Sequence, residues 1–171
     1  PLPRFHADPR VVHPERGAVR MDSGRPAEAV EAFRAAVSAD AGNVRAWNNL
    51  GFALQALDRL DEALRGYNHA ISLNPNFALA HYNAARIYGL KLDNKLALQH
   101  AQAAARLDPK YLEAWLLAGD ILRRTRDTAG ALAAYTAAAR AEPGNVRAVT
   151  TIAELLAEMG RFEEARREPG G

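Results

Sequence analysis

Proline recurs at a fixed interval between residues 75 and 143 of this chain. Pro75, Pro109 and Pro143 lie 34 residues apart, and each ends a similar three-residue segment. Self-similarity at a fixed period is typical of repeat architectures, in which each short unit covers the apolar face of the next. The sequence therefore predicts one array over 10–168, with repeats at 10–43, 44–77, 78–111, 112–145 and a truncated 146–168. An N-terminal extension at 1–9 and a disordered tail at 169–171 complete the predicted organisation.

Each repeat has the apolar pattern of two helices. Trp47, Leu50 and Leu54 recur at spacings of three and four residues, and the same spacing returns after a break at Asp58-Arg59. Such spacing places apolar side chains on one face of an α-helix. Proline then ends the second helix, because its ring clashes with the preceding turn. Comparable breaks are predicted at Gly24-Arg25-Pro26, Leu92-Asp93-Asn94, Arg126-Asp127 and Gly160-Arg161.

Small residues recur where two helices of a repeat have to touch. Position eight, counted from the first residue of each repeat, is always glycine or alanine, and position twenty is always alanine. A larger side chain would push the two helix axes apart at a cost of ~1–3 kcal/mol. The alanines at position twenty are Ala29, Ala63, Ala97, Ala131 and Ala165.

The second repeat carries the fullest set of spaced residues, namely Trp47, Leu50-Gly51, Leu54, Ala63, Tyr67, Ala70 and Pro75. In these residues the chain resembles the tetratricopeptide repeat family. The resemblance implies an all-α fold, a right-handed solenoid of antiparallel helix hairpins whose first helices line a concave groove. It also implies that position four, which holds Trp47 and Trp115, packs inside the hairpin, so that replacing either with alanine costs roughly 3–5 kcal/mol.

Both ends depart from the repeat pattern. The first helix of the first repeat has polar residues at the apolar positions, so we expect a short or solvent-facing cap there. The last repeat stops early and leaves apolar residues with little to cover them, so this C-terminal edge is either a partner interface or a point where the native chain continues. The polar residues are His13, Arg16 and Arg20, and the uncovered ones are Ile152, Leu155, Leu156 and Phe162.

No catalytic constellation is found in the sequence. Phosphate-binding glycine loops, zinc-protease motifs and serine-nucleophile motifs are absent, and there is no cysteine. Repeat phase assigns His81 to a core position and turns His69 and His100 outward. The adjacent carboxylates Asp61-Glu62 open a second helix, where negative charge complements the helix dipole. We therefore expect no enzyme activity, no catalytic residue, no cofactor and no metal.

Composition narrows the partner classes. The chain is 49% hydrophobic and 25% charged, which is the range of a globular protein. Its 22 basic and 20 acidic residues nearly balance, so nucleic acid is not an expected partner. No apolar run approaches the ~18–20 residues of a membrane span. The absence of cysteine leaves the compartment open, with the cytoplasm slightly favoured.

The implied groove directs attention to positions two, five, six and nine, which share one face of each first helix. Asn49 and Asn83 hold position six in consecutive repeats, so we predict a short amide ladder suited to the backbone of an extended peptide. This ladder resembles the one in O-linked N-acetylglucosamine transferases. The basic clamp with which some family members grip a C-terminal carboxylate is not reproduced. The predicted groove residues are Arg45, Asn48, Asn49, Phe52, Leu79, Tyr82, Asn83, Arg86, Leu116, Leu117 and Asp120.

Three hypotheses for function follow from the sequence. The first is a non-catalytic scaffold that binds a segment of another protein in the groove. The second is the substrate-recruiting part of a larger enzyme, such as a glycosyltransferase or sulfotransferase, because the chain starts without Met and its last hairpin is cut short. The third is self-assembly into a homo-oligomer through the C-terminal edge.

Overall fold

The computed structural model describes the backbone of residues 25–167 and the side chains of residues 25–160. The predicted N-terminal extension, the polar first helix of the first repeat, the tail and the side chain of Phe162 lie outside these residues. The described chain contains eight α-helices, which are α1 Pro26–Ala39, α2 Val44–Ala56, α3 Leu60–Leu73, α4 Ala78–Leu90, α5 Asn94–Leu107, α6 Leu112–Arg124, α7 Thr128–Ala141 and α8 Val146–Arg167.

The backbone repeats with the period that the prolines indicate. First helices begin at Val44, Ala78, Leu112 and Val146, and these starts are 34 residues apart. Within residues 25–167 every regular element is helical, so the predicted all-α fold of helix hairpins is confirmed. The described residues form two compact units that divide between Ala80 and His81.

Alanine and glycine bring the two helices of a hairpin into contact. In the first unit α2 packs against both α1 and α3. Ala63 of α3 is completely buried, and a Cβ on Gly51 of α2 would lie 2.7 Å from the ring of Tyr67. In the second unit α6 packs against both α5 and α7, where Ala131 and Gly119 take the same roles beside Tyr135. The predicted close approach at positions eight and twenty is confirmed in these two hairpins.

The tryptophans at position four are only partly buried. Trp47 and Trp115 are half-buried, and their indole N–H groups donate to the carbonyl oxygens of Ala41 and Pro109 at 2.9 Å and 3.0 Å. Each ring thereby holds the loop that precedes its own helix. Trp115 packs against the buried core, and the Trp47 ring lies 4.1 Å from that of His69 on the partner helix, so both rings pack within the hairpin while remaining partly exposed. We expect the loss on truncation to alanine to fall near the lower end of the range, about 3 kcal/mol.

The turns within hairpins share one backbone device. Asp58, Leu92 and Arg126 adopt positive φ values of 56°, 60° and 64° at repeat position 15. The next N–H of the chain then donates back to the end of the helix, as in the 2.9 Å bond from Asp127 N to Leu122 O. This geometry satisfies the last carbonyl groups of the first helix and reverses the chain. The predicted breaks at these three places are confirmed.

Aspartate starts the second helix of two hairpins. The carboxylate oxygen of Asp127 accepts the N–H of Gly130 at 2.8 Å, and that of Asp93 accepts the N–H of Leu96 at 3.0 Å. Each bond satisfies one of the backbone donors left unpaired in the first turn of a helix.

The free energy of unfolding of an Asp127→Ala variant is expected to be about 1 kcal/mol lower than that of the wild type, because the cap of α7 is lost. Asp127→Asn should stay within a few tenths of a kcal/mol, since its amide oxygen still accepts the N–H of Gly130. Urea denaturation followed by circular dichroism measures both. Equal losses in the two variants would show that the charge, and not the acceptor, stabilises this helix.

Helix α8 differs from the predicted pattern. The break expected at Gly160-Arg161 is absent, and one helix runs from Val146 to Arg167. A Cβ on Gly160 would meet no heavy atom within 4 Å, so no tertiary contact enforces a turn there. Residues 153–160 are rich in strong helix formers, and local propensity therefore continues the helix through this position. Ion pairs from Arg123 to Glu154 at 3.2 Å and to Glu158 at 3.6 Å bind α8 to α6.

Candidate functional site

Fewer of the predicted groove residues are exposed in the structure than the sequence predicts. Asn48, Asn83 and Leu116 are 3%, 4% and 7% exposed, so their expected exposure was wrong. For α2 and α6 the reason is that each packs against the second helix before it as well as its own partner. Position five of these helices is covered by that earlier neighbour, and positions two and nine keep most of the free surface.

In the first unit the free surface is apolar and basic. Phe52, at position nine, is 45% exposed, and Leu79, at position two, is 41% exposed. Arg45, which also holds position two, is exposed as well. Asn49 is half-buried, and its side-chain oxygen accepts an N–H of Asn48 at 3.4 Å. The ladder that would join Asn49 to Asn83 stays a prediction, since the two residues belong to different units.

The second unit contains a cleft between the first helices α4 and α6. Its volume is about 300 Å³. Three predicted groove residues line it, namely Arg86, Leu117 and Asp120. The full lining, which we call the Arg86 cleft, is Arg86, Gly89, Leu90, Leu117, Asp120, Ile121 and Arg124.

Three further side chains of this cleft, Leu90, Ile121 and Arg124, were missed from the sequence. Leu90 and Arg124 both hold repeat position 13, which follows position nine by four residues and therefore lies on the same helix face. Leu90 is 62% exposed. Extending the spacing of the groove positions by one helical turn would have found Leu90 and Arg124.

Asp120 is a fixed acceptor at the wall of the Arg86 cleft. Its carboxylate accepts the hydroxyl of Tyr135 on α7 and the guanidinium of Arg147 on α8, both at 2.5 Å. Burial, and then the hydrogen bond to Asp120, raise the pKa of Tyr135 well above its usual range. The phenol therefore stays protonated and donates to Asp120 throughout the physiological range. Three helices thus hold one carboxylate in place.

Two basic side chains complete the polar part of the cleft. The guanidinium of Arg86 lies 5.9 Å from the ring centroid of Tyr82, and that ring packs against Tyr111 at 4.9 Å. Arg124 donates to the side-chain oxygen of Asn94 at 2.5 Å. Burial raises the pKa of Tyr82, so its ring remains neutral under the cation. The cleft therefore offers two oriented cations and one oriented carboxylate around an apolar floor.

A second cleft, with a volume of about 320 Å³, lies in the first unit. Trp47 and Leu54 of α2 form its apolar part, and Arg34 of α1 and Glu62 of α3 stand at its rim. The pKa of Glu62 is lowered, chiefly by its hydrogen bond with Arg59. Because that carboxylate is already paired at 2.7 Å, it forms part of a surface ion-pair network.

His100 does not face outward as the repeat phase predicted. It is half-buried against His81, with 3.1 Å between the two Nδ1 atoms. Burial, followed by the proximity of His81, lowers the pKa of His100. His69 is exposed, as predicted, although its ring lies 4.1 Å from that of Trp47.

No group of three or more His, Cys, Asp or Glu side chains in the part of the chain that the structure describes is arranged to hold a metal ion. None of the helices in that part combines the length and the apolar character needed to cross a membrane.

Comparisons with known sequences agree with the repeat pattern. Family models that describe the tetratricopeptide repeat match residues 44–77 and 122–168. A peroxisomal targeting signal receptor of Eremothecium gossypii is 39% identical over 56 residues, which are 33% of this chain and 10% of that protein. The human protein O-mannosyl-transferase TMTC3 is 35% identical over 71 residues, which are 41% of this chain and 8% of that protein. The chain thus matches about a tenth of the length of these relatives.

Comparisons with solved structures show the same fold. A crystal structure of MamA protein superposes with a TM-score of 0.80 at 21% identity, covering 94% of this chain and 87% of that one. MamA 41-end from Desulfovibrio magneticus RS-1 gives a TM-score of 0.74 at 18% identity, covering 95% and 99%. The family models identify tetratricopeptide repeats at 44–77 and 122–168, and the likeness to the solved structures shows the same helical fold.

Proposed function

We propose that this protein is a non-catalytic interaction module that binds a segment of a partner protein at the Arg86 cleft. The observation that carries the proposal is the convergence of Arg86, Leu117 and Asp120 on one cleft between two first helices. The sequence pattern singles out these residues as groove-lining. The cleft supports a binding role because it joins apolar surface to a few oriented polar groups, as recognition sites in proteins do.

The dimensions of the cleft favour a short stretch of polypeptide. A volume of about 300 Å³ accommodates one or two side chains of a partner. Leu90 and Leu117 would contact an apolar side chain, and Arg86 and Arg124 would donate hydrogen bonds to a carboxylate or a backbone carbonyl. Asp120 would accept a backbone N–H, since Tyr135 and Arg147 already hold its carboxylate in position.

The relatives support this class of function. Four of the matching sequences are peroxisomal targeting signal receptors, and a receptor for a signal is a binding protein by its name. The partner of this chain is proposed only as a protein segment with an apolar residue next to an acidic one.

Peptides that bind the full chain can be selected by panning a phage-displayed library of 12-residue peptides. Their affinity for Arg86→Glu or Leu90→Asp is expected to be at least tenfold lower than for the wild type. A tenfold loss corresponds to about 1.4 kcal/mol. Fluorescence anisotropy of the labelled peptides measures the Kd. Leu90→Asp is a mild change to the fold because Leu90 is 62% exposed.

Arg106→Glu is the matched control, because Arg106 is an exposed arginine of α5 outside the cleft. It should bind the selected peptides like the wild type. Peptides that bind all variants equally, with unchanged circular dichroism, would place recognition elsewhere and refute the cleft as the site.

A second candidate function is self-assembly through α8. Val146, Val149, Leu156 and Met159 are 74%, 50%, 53% and 37% exposed, which is a large apolar share for one helix. A mass that rises with concentration in light scattering, and returns to that of the monomer in Leu156→Glu, would favour this function. A constant monomer mass at high concentration would exclude it.

The recruiting part of a larger enzyme is a third candidate. TMTC3 is a mannosyl-transferase by name, and the matched segment is 8% of its length. An open reading frame in which these repeats flank a catalytic domain would support the idea, and one without such a domain would refute it.

A further inference from the structure

Two histidine side chains face each other within the α4–α5 hairpin. Nδ1 of His81 on α4 lies 3.1 Å from Nδ1 of His100 on α5, and the ring centroids are 5.2 Å apart. Both side chains are half-buried, so solvent and small ions reach one side of the pair. The ring of Tyr88 stacks on His100 at 5.3 Å and 20°, which restrains the orientation of that imidazole.

The neighbouring hairpins fill the same two repeat positions with different chemistry. Positions four and 23 hold Trp47 and Gly66 in the α2–α3 hairpin, and Trp115 and Ala134 in the α6–α7 hairpin. In both hairpins a large indole at position four faces a glycine or alanine at position 23. The space is tight, because a Cβ on Gly66 would lie 3.0 Å from the carbonyl oxygen of Trp47. Among the hairpins whose two helices are both described, the α4–α5 hairpin alone replaces this pair with two nitrogen ligands.

The distance between the two nitrogens suits a shared metal ion. Imidazole nitrogens bind zinc at about 2.0–2.1 Å, so two of them at an angle of ~90–110° are about 2.8–3.4 Å apart. The observed 3.1 Å falls within this range. A hydrogen bond between the rings needs a proton on one Nδ1, whereas a metal ion accepts both lone pairs. Because Tyr88 restrains His100, binding of a shared ion would require the His81 ring to rotate about its χ2 bond until its Nδ1 lone pair meets that of His100.

We propose that His81 and His100 form a two-histidine site for a late first-row divalent metal ion, with water at the remaining coordination positions. Imidazole ligands suit Cu²⁺, Ni²⁺ and Zn²⁺, and Cu²⁺ binds most tightly by the usual order of stability. No third carboxylate, thiolate or imidazole of the described residues joins the pair, so this part of the chain supplies two ligands. Because these ligands come from adjacent helices, the ion links α4 to α5 and stabilises the hairpin.

The test is a Cu²⁺ titration of the full chain carrying His6→Ala and His13→Ala, which remove the two histidines near the N-terminus. We expect one ion per chain by isothermal titration calorimetry, and a frozen-solution EPR spectrum with hyperfine coupling to two nitrogens. Zn²⁺ should bind more weakly at the same stoichiometry and raise the Tm of the chain.

The decisive variant is His81→Trp combined with His100→Ala, which reproduces the Trp115 and Ala134 pair of the α6–α7 hairpin and so preserves the packing volume. The Cu²⁺ affinity of this double variant should be at least tenfold lower than that of the parent chain, and Zn²⁺ should no longer raise its Tm. His69→Ala is the matched control and should bind both ions like the parent chain. If circular dichroism shows that the double variant does not fold, His100→Phe is used in its place, because it removes one ligand and keeps an aromatic ring of similar size.

Unchanged Cu²⁺ affinity in a folded variant would overturn the proposal and leave the two rings as a hydrogen-bonded packing pair. A titration without a saturable one-to-one phase would overturn it as well. Neither result bears on peptide binding at the Arg86 cleft, whose variants are different residues.

Discussion

A Gly51→Val variant is expected to lose about 3 kcal/mol of unfolding free energy in the first unit, at the upper end of the cost of overpacking a core. A Cβ at this position would lie 2.7 Å from Cε1 and 2.8 Å from Cδ1 of Tyr67, and 2.9 Å from the backbone oxygen of Ala63. The tyrosine ring is completely buried and cannot swing away. The backbone oxygen belongs to α3, so relief requires the two helices of the hairpin to separate.

The two units can be followed separately because each contains one of the two tryptophans. In a Trp115→Phe background, the fluorescence of Trp47 during urea denaturation reports on the first unit. The expected result is a clear fall in the urea midpoint for Gly51→Val. Gly89→Ala is the control, since a Cβ there would meet no heavy atom within 4 Å. Because Gly89 lies in the second unit, this variant is followed by Trp115 fluorescence in a Trp47→Phe background. It should stabilise α4 by up to about 1 kcal/mol, because glycine is a poor helix former. A midpoint for Gly51→Val close to that of the parent would show that the hairpin tolerates a wider helix separation.

A Tyr135→Ala variant is expected to lose about 3–5 kcal/mol of unfolding free energy in the second unit, as is usual when a buried aromatic ring is truncated. The ring is 2% exposed and packs over Gly119, where no other side chain fills the space. Tyr135→Phe should lose only about 1 kcal/mol, because the ring remains and one hydrogen bond to Asp120 is removed. Trp115 fluorescence in a Trp47→Phe background measures both losses.

The comparison of these two variants separates packing from the support of the Arg86 cleft. In Tyr135→Phe, Asp120 keeps only the guanidinium of Arg147. If peptide binding requires a carboxylate held in place, the loss in binding free energy should exceed the loss in unfolding free energy. The pKa of Tyr135 is raised, so the folded state loses stability as pH rises above the ordinary phenol pKa of about 10. Tyr135→Phe should show a smaller loss over that range. Equal losses for the alanine and phenylalanine variants at neutral pH would contradict a dominant packing role for the ring.

Much of the fold could be predicted because its signals are local. The 34-residue spacing of prolines and the three-and-four spacing of apolar residues predict where helices begin, as at Val44 and Ala78. Aspartate at a turn predicts the start of α7, because its side chain caps a helix only three residues away. Alanine at position twenty predicts close packing, since the need for a small residue is visible in every repeat.

The predictions that failed concern residues whose surroundings are distant in the sequence. Asn48 is buried because α1 covers a face that the helix pattern of α2 leaves free. His100 turns inward because His81 takes the place of the tryptophan of neighbouring hairpins. Gly160 has the residue type that favours a turn, yet α8 continues through it because no packing partner enforces the reversal.

The sequence by itself therefore determined the repeat, most of the helices and hairpin turns, and the small residues at which the two helices of a hairpin touch. These depend on backbone propensity, capping and side-chain size, which act over a few residues. Only the tertiary structure decided which side chains remain accessible and which of them converge, as Arg86, Leu117 and Asp120 do on one cleft. Accessibility depends on which neighbouring helix covers a face, and convergence on the angle at which two helices pack, and neither quantity is written in the residues of one helix.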